Sequence, residues 1–208
     1  MSWSREPRIE PVEILNLRPT QMTIGMREVE AKRKRWREHP DRKKSGFLGT
    51  HFIPVILGPK RQRYIIDHHH LVLALHREGV TQIATTIVED LCQQERDSFW
   101  IYLDHRGWVH PYDREGRRCS YKDIPKCISD MVDDPYRSLA GALRLRGGFA
   151  KDTAPFSEFL WADFLRHRVK RKLVQAKFSE ALGVALRLAK SEESSYLPGW
   201  CGPVHSGR

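Results

Sequence analysis

One segment of the chain passes from a strand pattern to a helix pattern without loop residues between them. Tyr64–Ile66 favours a β-strand, and the apolar run Leu71–Leu75 predicts a helix that Gly79 closes. The predicted helix opens at this junction with an aspartate and three consecutive histidines, Asp67–His70. A strand that leads directly into a helix is typical of folds that pack helices against a sheet.

Strand and helix patterns alternate through the N-terminal part of the chain. The predicted strands are Ile9–Leu17, Ile53–Leu57, Arg63–Ile66 and Ile83–Glu89, and the predicted helices are Met26–Glu38, Asp67–Glu78 and Gln94–His105. The sequence Gly58-Pro59-Lys60-Arg61 predicts a tight turn between two of these strands.

The C-terminal part contains helix patterns only. They lie at Asp134–Arg146, Pro155–Arg168 and Phe178–Lys190. In the second of these helices, Phe156, Phe159, Leu160 and Phe164 share one face and predict a core stripe.

These patterns together predict an α+β protein with a small mixed sheet and flanking helices over residues 9–125. A helical extension packed on that domain is predicted over 126–192, and a flexible tail over 193–208.

The balance of charges favours an anionic partner. Lys and Arg number 36 against 26 Asp and Glu, which gives a formal net charge of +10. Such an excess suits nucleic acid, nucleotides or phosphorylated small molecules. Basic residues concentrate in Arg27–Lys44 and Arg166–Lys177, and each tract is either a solvated helix face or a surface that follows a phosphate backbone.

Other features indicate a cytoplasmic protein without a membrane partner. The first residues are polar and form no secretory signal, and no apolar run approaches the ~18–20 residues of a membrane span. Four scattered cysteines, none in a C-x-x-C pair, are typical of reduced thiols. Nothing in the sequence predicts the oligomeric state.

The residues at the strand-to-helix junction are candidates for anion binding, proton transfer or metal binding. An aspartate at Asp67 predicts a helix cap, and the positive end of a helix dipole attracts anions. The dipole lowers the pKa of an imidazole beside it, and a neutral imidazole can bond a phosphate, take a proton or ligate a metal. The same histidines are also consistent with packing, with a solvated junction or with adventitious zinc binding.

This junction and an earlier segment resemble two motifs of the ParB/sulfiredoxin fold, and most closely its ParB-like nuclease branch. The first motif resembles Leu17–Gln21, continued by Gly25–Val29, and the second resembles Asp67–Leu71. Asp134–Ala140 and Pro155–Phe164 also resemble that branch, so the resemblance covers roughly residues 9–168.

The resemblance implies a pocket between the two motifs that holds the phosphates of a nucleotide (ATP, ADP or CTP) with Mg²⁺. Asp67 would bind the metal or orient a histidine, His69 would contact phosphate or act in general acid–base catalysis, and Glu28 is a candidate base. The residues that the resemblance places at the nucleotide are Arg18, Pro19, Thr20, Gln21, Gly25, Met26, His68, His69 and His70.

The chain departs from its relatives at several of these positions. His68 stands where the free-serine kinases have Gly, and Leu71 stands where they have an Arg that would grip phosphate. Gln21 replaces their catalytic Glu and resembles the corresponding Gln of the partition protein ParB; the nearest carboxylates are Glu28 and Glu30. The second motif contains no cysteine, so sulfiredoxin chemistry is excluded.

Phosphoryl transfer or NTP hydrolysis is therefore the predicted activity. Two alternatives stay open. One is a DNA-binding, partition-type module whose nucleotide pocket is degenerate, and the other is a metal-dependent ParB-like nuclease centred on Asp67.

Overall fold

The computed structural model describes residues 9–40 and 51–203. The end of the first basic tract, from residue 41, and the end of the predicted tail, from residue 204, lie outside the described residues. The chain divides into two compact units. The first comprises the described residues within Met1–Thr23, Val29–Asp113 and Arg118–Val132, and the second those within Ile24–Glu28, Arg114–Arg117 and Asp133–Arg208.

A five-stranded mixed sheet organises the first unit. Its strands, in spatial order, are β1 (Ile9–Glu13), β6 (Gln82–Asp90), β4 (Ile53–Leu57), β5 (Arg63–Ile65) and β2 (Leu17–Pro19). The β1–β6 and β4–β5 pairs are antiparallel, whereas β4–β6 and β2–β5 are parallel. Two short strands, β3 (Thr23–Ile24) and β7 (Val132–Asp133), form a separate pair. The predicted α+β class with a small mixed sheet is confirmed.

Three helices follow the predicted order along this part of the chain: α1 (Met26–Glu38), α2 (His69–Arg77) and α3 (Arg96–His105). Helix α2 is apolar at its centre, and its five consecutive residues Leu71–Leu75 are all buried. The first residues of α3 lead into an aromatic cluster, where the rings of Phe99 and Trp100 lie 4.7 Å and 5.2 Å from that of Tyr64.

The second unit is helical, with α4 (Pro135–Leu145), α5 (Ser157–Arg166), α6 (Arg171–Ala176) and α7 (Phe178–Ala189). Asp134 caps α4 by accepting a bond from the Tyr136 amide at 2.9 Å, and Pro135 occupies the first helical turn. Helix α6 escaped prediction because its six residues are too few to show a helical period; of these, Val174 is buried.

Two expectations for this unit are wrong in part. Leu160 of the predicted core stripe is 45% exposed, whereas Trp161 is fully buried and stacks on Phe149 at 4.4 Å. The predicted flexible tail is packed over 193–200, because Leu197 enters the core and the Pro198 carbonyl accepts a bond from the Trp161 indole at 2.8 Å. No helix in the described part of the chain is long and apolar enough to span a membrane.

Candidate functional site

The backbone turns sharply where β5 passes into α2. His68 occupies the N-cap position in a left-handed conformation with φ 66°, and its carbonyl accepts bonds from the amides of Leu71 and Val72. The expectation that Asp67 caps the helix is wrong. Its Oδ1 accepts a 2.6 Å bond from the amide of His68, the next residue, so its carboxylate is already engaged one residue before the helix, which begins without a side-chain cap.

The three consecutive histidines have different environments. The side chain of His68 is 45% exposed, with Nδ1 4.0 Å from a carboxylate oxygen of Asp67. His69 and His70 are buried. The triplet therefore presents one ring to solvent and two to the protein interior.

His69 joins the two predicted motifs. Its Nε2 accepts a 3.2 Å bond from the backbone amide of Thr20, and the Thr20 hydroxyl donates a 2.7 Å bond to the carbonyl of Ile65. An amide N–H can only donate, so the ring proton resides on Nδ1. Burial lowers the His69 pKa to about 4, against the opposing effect of the Asp67 carboxylate. His69 is therefore neutral near pH 7.

Most of the first motif is buried structure. Pro19, Thr20 and Gln21 are buried; the Gln21 amide donates a 2.8 Å bond to the carbonyl of Thr23. Arg18 alone is partly exposed, and its Nε donates to Gln62 at 2.7 Å. The structure also brings His110 to this motif, because its amide bonds the Thr20 carbonyl at 2.8 Å.

The remaining predicted residues belong to the second unit. The Met26 amide bonds Asp133 at 2.9 Å, and a Cβ atom on Gly25 would lie 3.1–3.2 Å from atoms of Ser138. Glu28, the candidate base, has its carboxylate 3.4 Å from the buried guanidinium of Arg137. These residues therefore hold the start of α1 against α4.

Two further segments singled out in the sequence meet in a buried ion pair. The guanidinium of Arg166 lies 2.8 Å from Asp134 and 3.2 Å from Asp163. Asp134 is 1% exposed, and burial raises the pKa of Asp163. Within the second unit, these contacts join the N-cap residue of α4 to the last turn of α5.

The described residues contain no group of three or more His, Cys, Asp and Glu side chains arranged around a common point for a metal ion. Mg²⁺ is commonly held by one or two carboxylates together with substrate phosphates. The carboxylate of Asp67, 74% exposed at the helix start, fits that mode of binding.

Comparison with known proteins assigns the family. The family model described as "Putative ParB-like nuclease" matches residues 10–167. The chain belongs to the ParB-like nuclease family. This result confirms the resemblance found in the two motifs.

The crystal structure of protein Atu1540 from Agrobacterium tumefaciens is 54% identical to this ParB-like chain, with a TM-score of 0.90 over 95% of this chain and 98% of that one. The C-terminally truncated partitioning protein ParB from Caulobacter crescentus, complexed with CTP-gamma-S, matches at 12% identity and a TM-score of 0.33, over 89% and 94% of the two chains. A score that low supports no comparison of their sites. No curated protein matches the chain.

Proposed function

We propose that this ParB-like protein binds a nucleotide or another phosphorylated small molecule, with the phosphates held at the start of α2. The reaction proposed for the site is phosphoryl transfer or NTP hydrolysis. The observation that carries the proposal is the left-handed backbone of His68 beside an uncapped helix start.

A left-handed residue other than glycine is disfavoured, by about 1 kcal/mol or more. The free-serine kinases that this motif resembles have glycine at this position, where the same backbone carries no penalty. A histidine here is therefore retained for its side chain. Its side chain is 45% exposed at the N-cap position of a helix start without a side-chain cap, and the free amide groups of a first helical turn favour an anion.

The neighbouring residues take complementary roles in this proposal. His68 donates a bond to phosphate, and Asp67 holds Mg²⁺ together with the phosphate oxygens. His69 is a positioning residue: its pKa of about 4 and its bond to Thr20 suit it to fix the two motifs, not to carry protons. The free-serine kinases have a phosphate-binding arginine at the position of Leu71. Arg18 is the cation proposed to take its place in this chain.

A thermal-shift titration tests the binding. ATP, ADP or CTP with Mg²⁺ should raise the melting temperature by mass action, with about 2.7 kcal/mol gained at a hundredfold excess over Kd. His68→Gly should abolish the rise while leaving the free protein at least as stable as the wild type, because the backbone strain is relieved. His76→Gln, at the other end of α2, is the matched control and should keep the full rise. A rise that survives His68→Gly contradicts the assignment.

Metal-dependent DNA cleavage is the second candidate, favoured by the description of the family. The proposed centre is again Asp67, with a bound metal activating water. Plasmid DNA would be nicked with Mg²⁺ or Mn²⁺, not with EDTA, and Asp67→Asn would lose the activity. A nicking activity that is unchanged in Asp67→Asn rejects this centre.

A further inference from the structure

We propose that two copies of this chain associate through their α3 helices, which cross in opposite directions about a two-fold axis near Ile101. The contact surface lies in the first unit and contains none of the residues proposed to bind the nucleotide. Asp97, Ile101 and His105 stand four residues apart in α3 and are called the α3 row below.

The two faces of α3 differ in burial. On the inner face, Phe99 and Trp100 are buried in the aromatic cluster. Residues four apart in a helix are displaced by only about 40° around its axis, so the α3 row shares one face. All three residues of the row are exposed, and Ile101 at its centre is 51% exposed. A single exposed isoleucine is common on protein surfaces, so the shape of the surface beside it matters.

A groove of about 560 Å³ runs along one side of the α3 row. Ile101 and His105 form one wall of it, and its surface is mostly apolar. The remaining lining residues are Leu91, Gln94, Ser98 and Tyr102. Ser98 and Tyr102 are also four residues apart, so the groove lies between two neighbouring rows of the same helix.

Contacts within the first unit fix the far wall of the groove. The Tyr102 hydroxyl donates a 2.8 Å bond to the carboxylate of Glu89. The guanidinium of Arg106 lies 4.6 Å from the ring centroid of Trp108 and 5.9 Å from that of Tyr102. A wall that is already ordered loses little conformational entropy when a partner binds.

The groove and the α3 row fit each other. Rows of residues four apart are inclined to the helix axis, and two helices whose rows fit into each other's grooves cross at about 50°. In an antiparallel pair of α3 helices, each row fills the groove of the other copy, and each Ile101 is removed from water. A two-fold interface uses the same patch on both copies. This surface supplies both the ridge and the groove, so a second copy of the chain is the partner that it fits.

The two ends of the α3 row have opposite character. Asp97 lies in the first turn and His105 in the last turn of α3, where the helix dipole favours an acidic and a basic residue respectively. Neither side chain forms an ion pair within the described residues 9–40 and 51–203. Both are four residues from Ile101, so an antiparallel copy brings each Asp97 beside a His105 of the partner subunit. A parallel copy would bring like residues together.

The other charged residues of α3 leave this pairing open. Arg96 and Arg106 lie about 140° around the helix from Ile101. The carboxylate of Asp104 is nearer to the row, but its Oδ2 accepts a 2.5 Å bond from the Tyr121 hydroxyl and another from Arg118. The charge of Asp104 is therefore balanced inside the first unit.

Sedimentation equilibrium of the full chain tests the association. A contact made mainly by one helix is smaller than a standard interface of about 1,600 Å², so we expect a reversible equilibrium between one and two chains at micromolar concentrations. Ile101→Lys places two ammonium groups near the axis and should weaken the dimer by about tenfold or more. Its melting temperature, measured where both proteins are monomers, and its nucleotide-induced thermal shift should match those of the wild type.

The matched control is Leu160→Lys, which makes the same kind of change at a helical position of similar exposure, 45%, in α5. Its dimer constant should stay within about twofold of the wild type. A wild type that remains monomeric up to about 500 µM overturns the proposal. An Ile101→Lys variant that dimerises as well as the control also overturns it.

Charge exchange tests the antiparallel arrangement. Asp97→Lys and His105→Glu should each weaken the dimer by about threefold or more, because each change is present twice in a two-fold pair. The double variant Asp97→Lys/His105→Glu should recover the wild-type constant. An equal mixture of the two single variants should associate more tightly than either variant alone, because the introduced lysine then meets the introduced glutamate. Absence of recovery in both experiments overturns the proposed pairing.

Discussion

The buried His69 predicts how stability depends on pH. Its pKa is lowered from an ordinary 6.5 to about 4 in the folded protein, chiefly because of burial. Between these values the unfolded chain binds a proton that the folded protein does not bind, so the free energy of unfolding falls as pH falls. At about 1.4 kcal/mol for each unit of pKa difference, His69 removes about 2 kcal/mol between pH 7 and pH 5 and about 3 kcal/mol by pH 4.

Urea denaturation at a series of pH values measures this loss. Other groups titrate over the same range, so the quantity of interest is the difference between the wild type and His69→Gln. Glutamine keeps an oxygen that can accept the Thr20 amide bond but does not titrate. The variant should lose about 2 kcal/mol less than the wild type between pH 7 and pH 5.

An NMR titration tests directly whether the buried His69 ring stays neutral. In NMR spectra the ring protons of His69 should keep their chemical shifts from pH 8 down to about 5 and move only near its pKa of about 4. If the ring titrates near 6.5, or if His69→Gln shows the full wild-type pH dependence, the bond from Thr20 does not hold a neutral imidazole and the argument fails.

Two further predictions concern packing. Gly58→Ala should lower the free energy of unfolding by about 1–3 kcal/mol because its Cβ would lie 2.6 Å from the Tyr64 ring; Gly183→Ala in α7, with no atom within 4 Å of the new Cβ, should raise it by about 0.5–1 kcal/mol. Equal effects in urea denaturation would contradict this contrast. Trp161→Ala should lower the free energy of unfolding by about 3–5 kcal/mol in the same assay. Leu160→Lys, at a position that is 45% exposed, should lower it by less than about 0.5 kcal/mol. The reverse order would contradict the assigned core face.

Local signals in the sequence predicted the bounds of an element correctly where neighbouring residues decide the conformation. The helix Met26–Glu38 and the strand Ile53–Leu57 have the predicted bounds. The strand predicted over 9–17 is broken by a 3-10 turn at Ile14–Asn16, where the Ile14 amide bonds the carbonyl of Thr81. That partner is distant in the chain, so the pattern of the strand itself contains no sign of the break.

The buried face of α5 could not be predicted from the local sequence either. Helical periodicity placed Leu160 beside Phe159 on the core face, yet Trp161 is the buried residue. Periodicity shows that a face exists, but the width and direction of that face depend on what packs against it. Here Phe149 and the carbonyl of Pro198 supply the contacts of the tryptophan.

By itself, the sequence of this ParB-like protein determined the fold class, the order of most elements and the strand-to-helix junction, because hydrophobic period and turn residues act over short distances. Only the tertiary structure decided which histidine of the triplet is buried against Thr20 and that Glu28 pairs with Arg137. Burial and charge depend on neighbours that are far away in the chain, and the folded structure alone brings them together.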